Sequence, residues 1–381
     1  MRKLKKQNAI TLVALVITIV ILLILAGISI SALTNTGIFA KAKEAKKASE
    51  NAEEKQRETL SEYEKELNKY VAKELTGDKI NTVLSKTENT ILKDANGNIF
   101  TLPAGFKVVV NDDTNNAKTV DKGIVIEDAT DAATKGSQFV WIPVGNIVKA
   151  DGSKTEIELG RYDFDETTGK ESAYAGKYVE EDASDKSTLK NIEGKSIAKN
   201  ITNFKNSVLA NGGYYIGRYE ARTTTPRSNK EDTLTQITEK GTDQVYNYVT
   251  QSQAAQQTQN MYNSSNFTSD LINGYAWDTA TLFLQSCGEE KYSRKTSVNS
   301  SFAVKGTNEQ NYIGTRDNAC NVYDLASNLS EWTAETSDDS IYPCVYRGGN
   351  YSYNNTYTTN RNYHNTFLST EDIGFRPILY L

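Results

Sequence analysis

The sequence predicts an α+β protein, with a long N-terminal transmembrane and stalk helix followed by a domain of short strands. Three observations carry this expectation. Residues 10–33 form one uncharged apolar run behind a basic cluster. Residues 38–71 repeat small or apolar side chains at helical spacing. From about residue 81 the chain breaks into short β-rich runs separated by Gly, Asn and Asp.

The apolar run comes first. "MRKLKKQNAITLVALVITIV" opens with Arg2, Lys3, Lys5 and Lys6, and no further charge follows until Lys41. Ile10–Leu33 would reach roughly 36 Å as a helix, enough to cross a hydrocarbon core of about 30 Å. Inside lipid a helix satisfies every backbone group, so the Ile and Val content does not argue for a strand. The basic cluster keeps the N-terminus cytoplasmic. A single-pass protein of the cell membrane with an extracellular C-terminal domain is expected. The stretch "KKQNAITLVALVITIV" also resembles the start of type IV prepilins: basic residues, a small residue at the cut, then Thr-Leu opening an apolar helix. That resemblance implies cleavage between Ala9 and Ile10 and packing with other pilin subunits in a surface pilus. The chain departs from the pattern at Ala9, where the family has Gly, and at Ala14, where it has Glu. A plain membrane anchor and a signal peptide cut near Ser31 are the alternatives.

Next comes the stalk, expected over 37–80 after a membrane segment at 1–36. Ile38, Ala42, Ala45, Ser49, Ala52, Leu60, Tyr63, Leu67 and Val71 recur at three- and four-residue steps, and the other faces are dense in Lys and Glu. Glu53 and Arg57 stand at ion-pairing distance along a helix. Gly77 is the expected stop.

Bulk composition excludes several function classes. A net charge of −5, with no basic block after residue 6, gives no footprint for nucleic acid. Three cysteines, Cys287, Cys320 and Cys344, are too few for a disulfide framework or a zinc site, though one pair could bridge. A single histidine, His364, removes most His-based metal and triad chemistry.

The strand-rich part reads as a small connector over 81–135 and a larger domain over 136–381. Asp94, Asn96 and Asn98 form a turn cluster between two β-rich runs; they alternate as in a calcium loop but lack the closing Glu. "KGIVIEDA" and "SQFVWIPVG" read as successive strands, and residues 150–200 as a polar surface insertion.

Five blocks in order, "FVWIPVG", "GGYYIGRYEAR", "INGYAWDTATLFL", "NVYDLASNLSEWTAE" and the closing pair "YRGGNYS" and "IGFRPILYL", resemble the formylglycine-generating-enzyme (sulfatase-modifying factor) superfamily. That resemblance implies a C-type-lectin-like fold. Trp141 and Trp332 are then core aromatics, Gly348 and Gly349 allow a backbone bend, and Arg347 and Arg376 hydrogen-bond carbonyls or acids. No cofactor is required on this reading. Asn328 and Glu331 are the candidate ligands of a structural calcium, which family members hold at the corresponding turn. Ser327 stands where the family has Gly.

The oxidative branch of that family needs two cysteines after its "RGG" motif to hold copper, and no cysteine follows Arg347–Gly349 here. Its sulfur-transferring relatives need three histidines. The expectation is therefore a binding protein and not an enzyme, an oxidase with an unfamiliar site or a structural minor pilin being the alternatives. Asn350–Phe367 contains six Asn, four Tyr and four Thr. Tyr gives broad amphipathic contact at low entropic cost, and Asn, Ser and Thr give adaptable hydrogen bonds. The resemblance extends to variable proteins of diversity-generating retroelements, whose binding surface lies in this segment. The residue types here are those reached by altering adenines in an Asn codon. Asn350, Tyr351, Tyr353, Asn355, Tyr357, Asn360, Arg361, Tyr363, His364 and Asn365 are the candidate contacts for a surface protein or glycan.

Overall fold

The computed structural model describes residues 38–111, 115–130, 132–180, 201–296, 317–337, 339–353 and 356–381. The expected membrane span and the Ala9–Ile10 junction lie outside the described residues. Among the described residues no helix is long and apolar enough to cross a membrane. The chain divides into two units, residues 1–62 and 63–381.

Helix α1 covers Ile38–Val71. Its Glu53–Arg57 pair forms at 3.9 Å, and Leu60, Tyr63, Leu67 and Tyr70 are all more than half exposed. The helix stops six residues before Gly77. Lys73–Glu74 instead pairs in parallel with Thr90–Lys93, and the Leu75 N–H donates to the Lys93 carbonyl at 2.8 Å, so the sheet claims the backbone that the helix would have used.

The two largest sheets of the 63–381 unit have six and four strands. The strands of these two sheets are β1 (Phe106–Val108), β2 (Val125–Asp128), β3 (Gln138–Pro143), β4 (Gly213–Gly217), β5 (Thr268–Leu271), β6 (Ser330–Thr336), β7 (Cys344–Arg347), β8 (Arg361–His364), β9 (Ile373–Phe375) and β10 (Pro377–Tyr380). The larger sheet runs β5-β10-β4-β3-β2-β1 and is antiparallel throughout. Residues 81–135, expected as a connector of their own, thus supply two strands to the same sheet as "FVWIPVG". The smaller sheet runs β8-β7-β6-β9, with β6 and β9 parallel, which leaves β8 at its edge.

The core follows from the apolar runs. β3 and β4 are buried on both faces, as their near-continuous hydrophobic sequences require. Trp141 lies opposite Tyr215 across the strand pair, with ring centroids 4.9 Å apart. Burying side chains of this size contributes about 2–3 kcal/mol each. Helix α2 (Ile201–Asn211) covers the sheet with Phe204, edge-on to Tyr214 and Tyr380 at 5.3 and 5.5 Å. Helix α3 (Gln251–Gln259) starts on a capping box made by Thr250 and Gln253. Helix α4 (Gly274–Phe283) is capped by Asn273, whose side chain accepts from the Ala276 N–H at 2.9 Å. Trp332 is fully buried, its indole N–H donating to the Val249 carbonyl at 2.9 Å.

The Asp94 cluster is a turn. Its carboxylate accepts from the backbone N–H groups of Asn96, Asn98 and Val120 at 2.9, 2.8 and 2.7 Å. The described part of the 150–200 stretch, residues 150–180, is more than a surface insertion. Lys154–Ile157 pairs with Gly145–Val148, and Tyr162–Phe164 with Glu171–Ala173, which brings Arg161 and Glu180 into the interior.

Candidate recognition face

The Asn350–Phe367 segment leaves β7 through Gly348 and Gly349, returns as β8 and runs on toward β9. Gly348 has φ +78, and a β-carbon there would stand 2.5 Å from the Leu325 carbonyl oxygen. A β-carbon on Gly349 would meet the Ala326 carbonyl oxygen at 2.3 Å. Only glycine lets the two backbones approach this closely.

The first residues of the segment turn inward. Asn350 is buried: its amide donates to Ser330 Oγ at 3.2 Å and Asp372 Oδ2 at 3.3 Å, and its carbonyl accepts from the Ser352 and Tyr353 N–H groups. Tyr351 is buried against Val245 and Leu329. Both were candidate contacts, and both instead hold the loop down. Arg361 also departs from expectation. It donates to Asp278 Oδ2, to Glu335 Oε1 at 3.2 Å and to the Tyr162 carbonyl at 3.0 Å. Its guanidinium lies 4.1 Å from the Tyr174 ring centre, with Arg161 at 4.3 Å from the same ring. Asn360 contributes its backbone carbonyl, which accepts from Arg347 Nε at 3.1 Å. Tyr357 is half-buried under Arg294, 3.5 Å from its ring centre. Thr358 is buried, and its carbonyl accepts from the Trp277 indole at 2.9 Å. Asn365 accepts from the Phe367 N–H at 3.2 Å, and Asn355 lies outside the described residues.

Among the described residues of the segment, what remains exposed is Ser352 and three aromatics. Tyr353 is 61% exposed, Tyr363 42% and Phe367 65%. Tyr363 sits between Tyr178 and Tyr342, with ring centroids 5.9 and 6.2 Å away, and Lys177 Nζ lies 4.8 Å over its ring. His364 faces Tyr342 at 5.7 Å, and its Nδ1 has no hydrogen-bond partner among the described residues. Tyr178 and Tyr342 are not among the residues expected from the sequence: Tyr178 lies more than 150 residues before the segment, and Tyr342 just outside its N-terminal end. The one local signal is an apolar "IYP" in the otherwise acidic stretch "SDDSIYP".

No family model matches the chain, and no curated protein matches it. Among solved structures the chain is similar to Treponema denticola variable protein 1, at 11% identity and a TM-score of 0.35, over 66% of this chain and 98% of that one. A likeness that loose carries no argument about function.

Beneath the aromatic face lies a buried ion network. Arg347 donates to Asp278 Oδ1 at 2.6 Å and to Glu335 Oε2 at 2.9 Å, with all three side chains fully buried. Arg161 pairs with Glu335 and approaches Glu180 Oε2 at 3.7 Å. Burial alone would raise the Glu335 carboxyl, but Arg347, Arg161 and Arg361 overcome it and hold it at about 2. Burial pushes Glu180 up to about 7, against the pull of Arg161. One carboxylate has three arginines around it and the other only the edge of one, which accounts for the opposite signs.

Asn328 and Glu331 do not fit a calcium ion as placed. Arg376 Nε donates to both Glu331 oxygens at 3.1 Å, and Arg376 Nη2 adds a bond at 2.6 Å to Glu331 Oε1. The Asn328 amide nitrogen faces Glu220. A cation beside Glu331 would have to share that carboxylate with a buried guanidinium. Arg376 also donates to the Gly217 and Tyr323 carbonyls at 2.9 and 2.8 Å, the structural role expected of it.

Proposed function

We propose that the chain is a membrane-anchored display protein of the cell surface. Its 63–381 unit, read as C-type-lectin-like, binds a surface protein or glycan through the Tyr178–Tyr342–Tyr363 face. The observation that carries this reading is the cluster of exposed Tyr363 and Tyr342 with half-buried Tyr178, gathered around an edge strand that is anchored through Arg361. Rigid aromatics on a fixed base lose little entropy on binding. Binding is preferred to catalysis because the sequence has no cysteine after "RGG" and one histidine in all. The N-terminal segment is read as the anchor or pilin-like start, which a mature N-terminus at Ile10, found by mass spectrometry, would establish in its pilin form.

The binding reading is tested by presenting the detergent-solubilised full chain to a printed glycan array and a panel of immobilised extracellular proteins. A true ligand loses about tenfold or more in affinity to Tyr363→Ala and to Tyr342→Ala. It is unaffected by Tyr70→Ala, a control at an 85% exposed tyrosine on α1. Ligands that bind both face variants as tightly as the parent would sink the proposal. If the segment is diversified, variation among copies falls on Ser352, Tyr353, Tyr363 and Phe367 and spares Asn350, Tyr351, Thr358 and Arg361.

A further inference from the structure

The three cysteines occupy two settings. Cys344 is fully buried on β7, in register with His364 of β8. Cys287 and Cys320 are both half-buried. Cys287 lies in the π-helical turn Leu284–Gly288 that continues α4, and Cys320 at the bend between the paired segments Asn318–Ala319 and Val322–Tyr323. These two turns are in contact. A β-carbon built on Gly288, the residue after Cys287, would stand 3.0 Å from Cys320 Sγ and 3.2 Å from Ala319 Cβ. The absence of a side chain at Gly288 is what admits the Cys320 sulfur against this backbone. Cys320 holds φ +44 and Asn321 φ +65, left-handed conformations that carry the bend. Its thiol points at the Asp121 carbonyl, 3.6 Å away, which is the weakest kind of hydrogen bond and leaves the sulfur free to turn. Both thiols feel Lys122, Asp121 and Lys149, and Cys287 is the ionisable neighbour acting most strongly on Cys320.

We propose that Cys287 and Cys320 are a dithiol pair that closes to an intramolecular disulfide in which Cys344 takes no part. The bond would staple the end of α4 to the 318–323 hairpin, two elements that sequence alone does not bring together. The step is a thiol–disulfide exchange with a small organic disulfide as oxidant. Deprotonated Cys287 Sγ attacks one sulfur of that disulfide and expels the first thiolate, forming a mixed disulfide. Deprotonated Cys320 Sγ then attacks the Cys287 sulfur and expels the second. The protein gives up two electrons and two protons, and the oxidant leaves as two thiols. Cys287 is the first attacker because burial raises it to about 11 and raises Cys320 further. With both thiols so held, closure is slow at neutral pH and quickens as pH rises.

The test uses the reduced full chain and glutathione disulfide at about pH 8.5, read by intact mass and by peptide mapping without reductant. The expected product is lighter by about 2 Da, retains one of three thiols, and yields a peptide joining Cys287 to Cys320. Cys344→Ser gives the same cross-link, whereas Cys287→Ser and Cys320→Ser each accumulate a glutathione adduct on the remaining partner. The wild-type peptide map decides the matter even if a variant fails to fold. Separate glutathione adducts on Cys287 and Cys320, a bond to Cys344, or three thiols persisting under these conditions would overturn the assignment.

Discussion

Arg347 and Asp278 meet with both side chains fully buried, Nη2 to Oδ1 at 2.6 Å, and so tie the end of β7 to helix α4. The second Asp278 oxygen takes Arg361 from β8. One carboxylate on one helix thus holds both strands that bracket the 350–360 loop. Glu335 repeats the arrangement from β6, receiving Arg347, Arg361 and Arg161.

Truncating one partner strands the others without water. Arg347→Ala is expected to cost about 3–5 kcal/mol, measured by urea unfolding, because two carboxylates lose their main counter-charge. Arg347→Lys should recover only part of the loss, since an ammonium cannot reach Asp278 and Glu335 as the planar fork does. A loss below about 1 kcal/mol for Arg347→Ala would show that the network does not hold the fold.

Stability should depend on pH in two opposite senses. Glu335 is held at about 2, below its ordinary 4.5, so its contribution is full above pH 4.5 and is lost as pH falls toward 2. Glu180 and Asp324 are each raised to about 7, mainly by burial, so the protonated fold is favoured below their ordinary values and that advantage is lost as pH rises through 7. Urea midpoints at about pH 3, 4.5 and 7 read both limbs. Glu180→Gln, which keeps an acceptor for the Gly274 N–H, should flatten the fall between 4.5 and 7 and leave the acid limb unchanged.

Positions inside the Asn/Tyr segment should separate into two kinds. Asn350→Ala strands Ser330, Asp372 and two backbone N–H groups and is expected to cost about 1–3 kcal/mol. Tyr353→Ala, at an exposed site, should fall within about 0.5 kcal/mol of wild type. Thermal unfolding of the pair checks this, and equal losses would erase the distinction between clamp and contact.

Gly348→Ala places a methyl group 2.5 Å from the Leu325 carbonyl oxygen at a φ of +78. Backbone strain alone accounts for about 1–3 kcal/mol, and the clash adds to it. A drop in Tm is expected without loss of secondary structure in far-ultraviolet circular dichroism.

Local pattern is legible in this chain wherever one element decides its own fate. The helical stripe after Ile38, the Asp94 turn, the apolar runs of β2, β3 and β4, and the helix that begins at Gly274 follow from spacing and propensity within a dozen residues. The segment rich in Asn and Tyr could likewise be picked out by composition. Its division into inward and outward residues could not, because Asn350 is drawn in by Ser330 and Asp372, about twenty residues away on either side, while Tyr353 is left exposed.

The same holds for charge. Arg361 reads in one dimension as a binding residue among polar neighbours, yet it is drawn inward by Asp278, 83 residues upstream. Tyr178 and Tyr342 reach Tyr363 only once three separate stretches have packed. Chain-local physics thus settles which pieces are helix, strand and turn. The role of each polar residue comes from long-range packing, because burial and counter-charge are supplied by partners that sequence separation conceals.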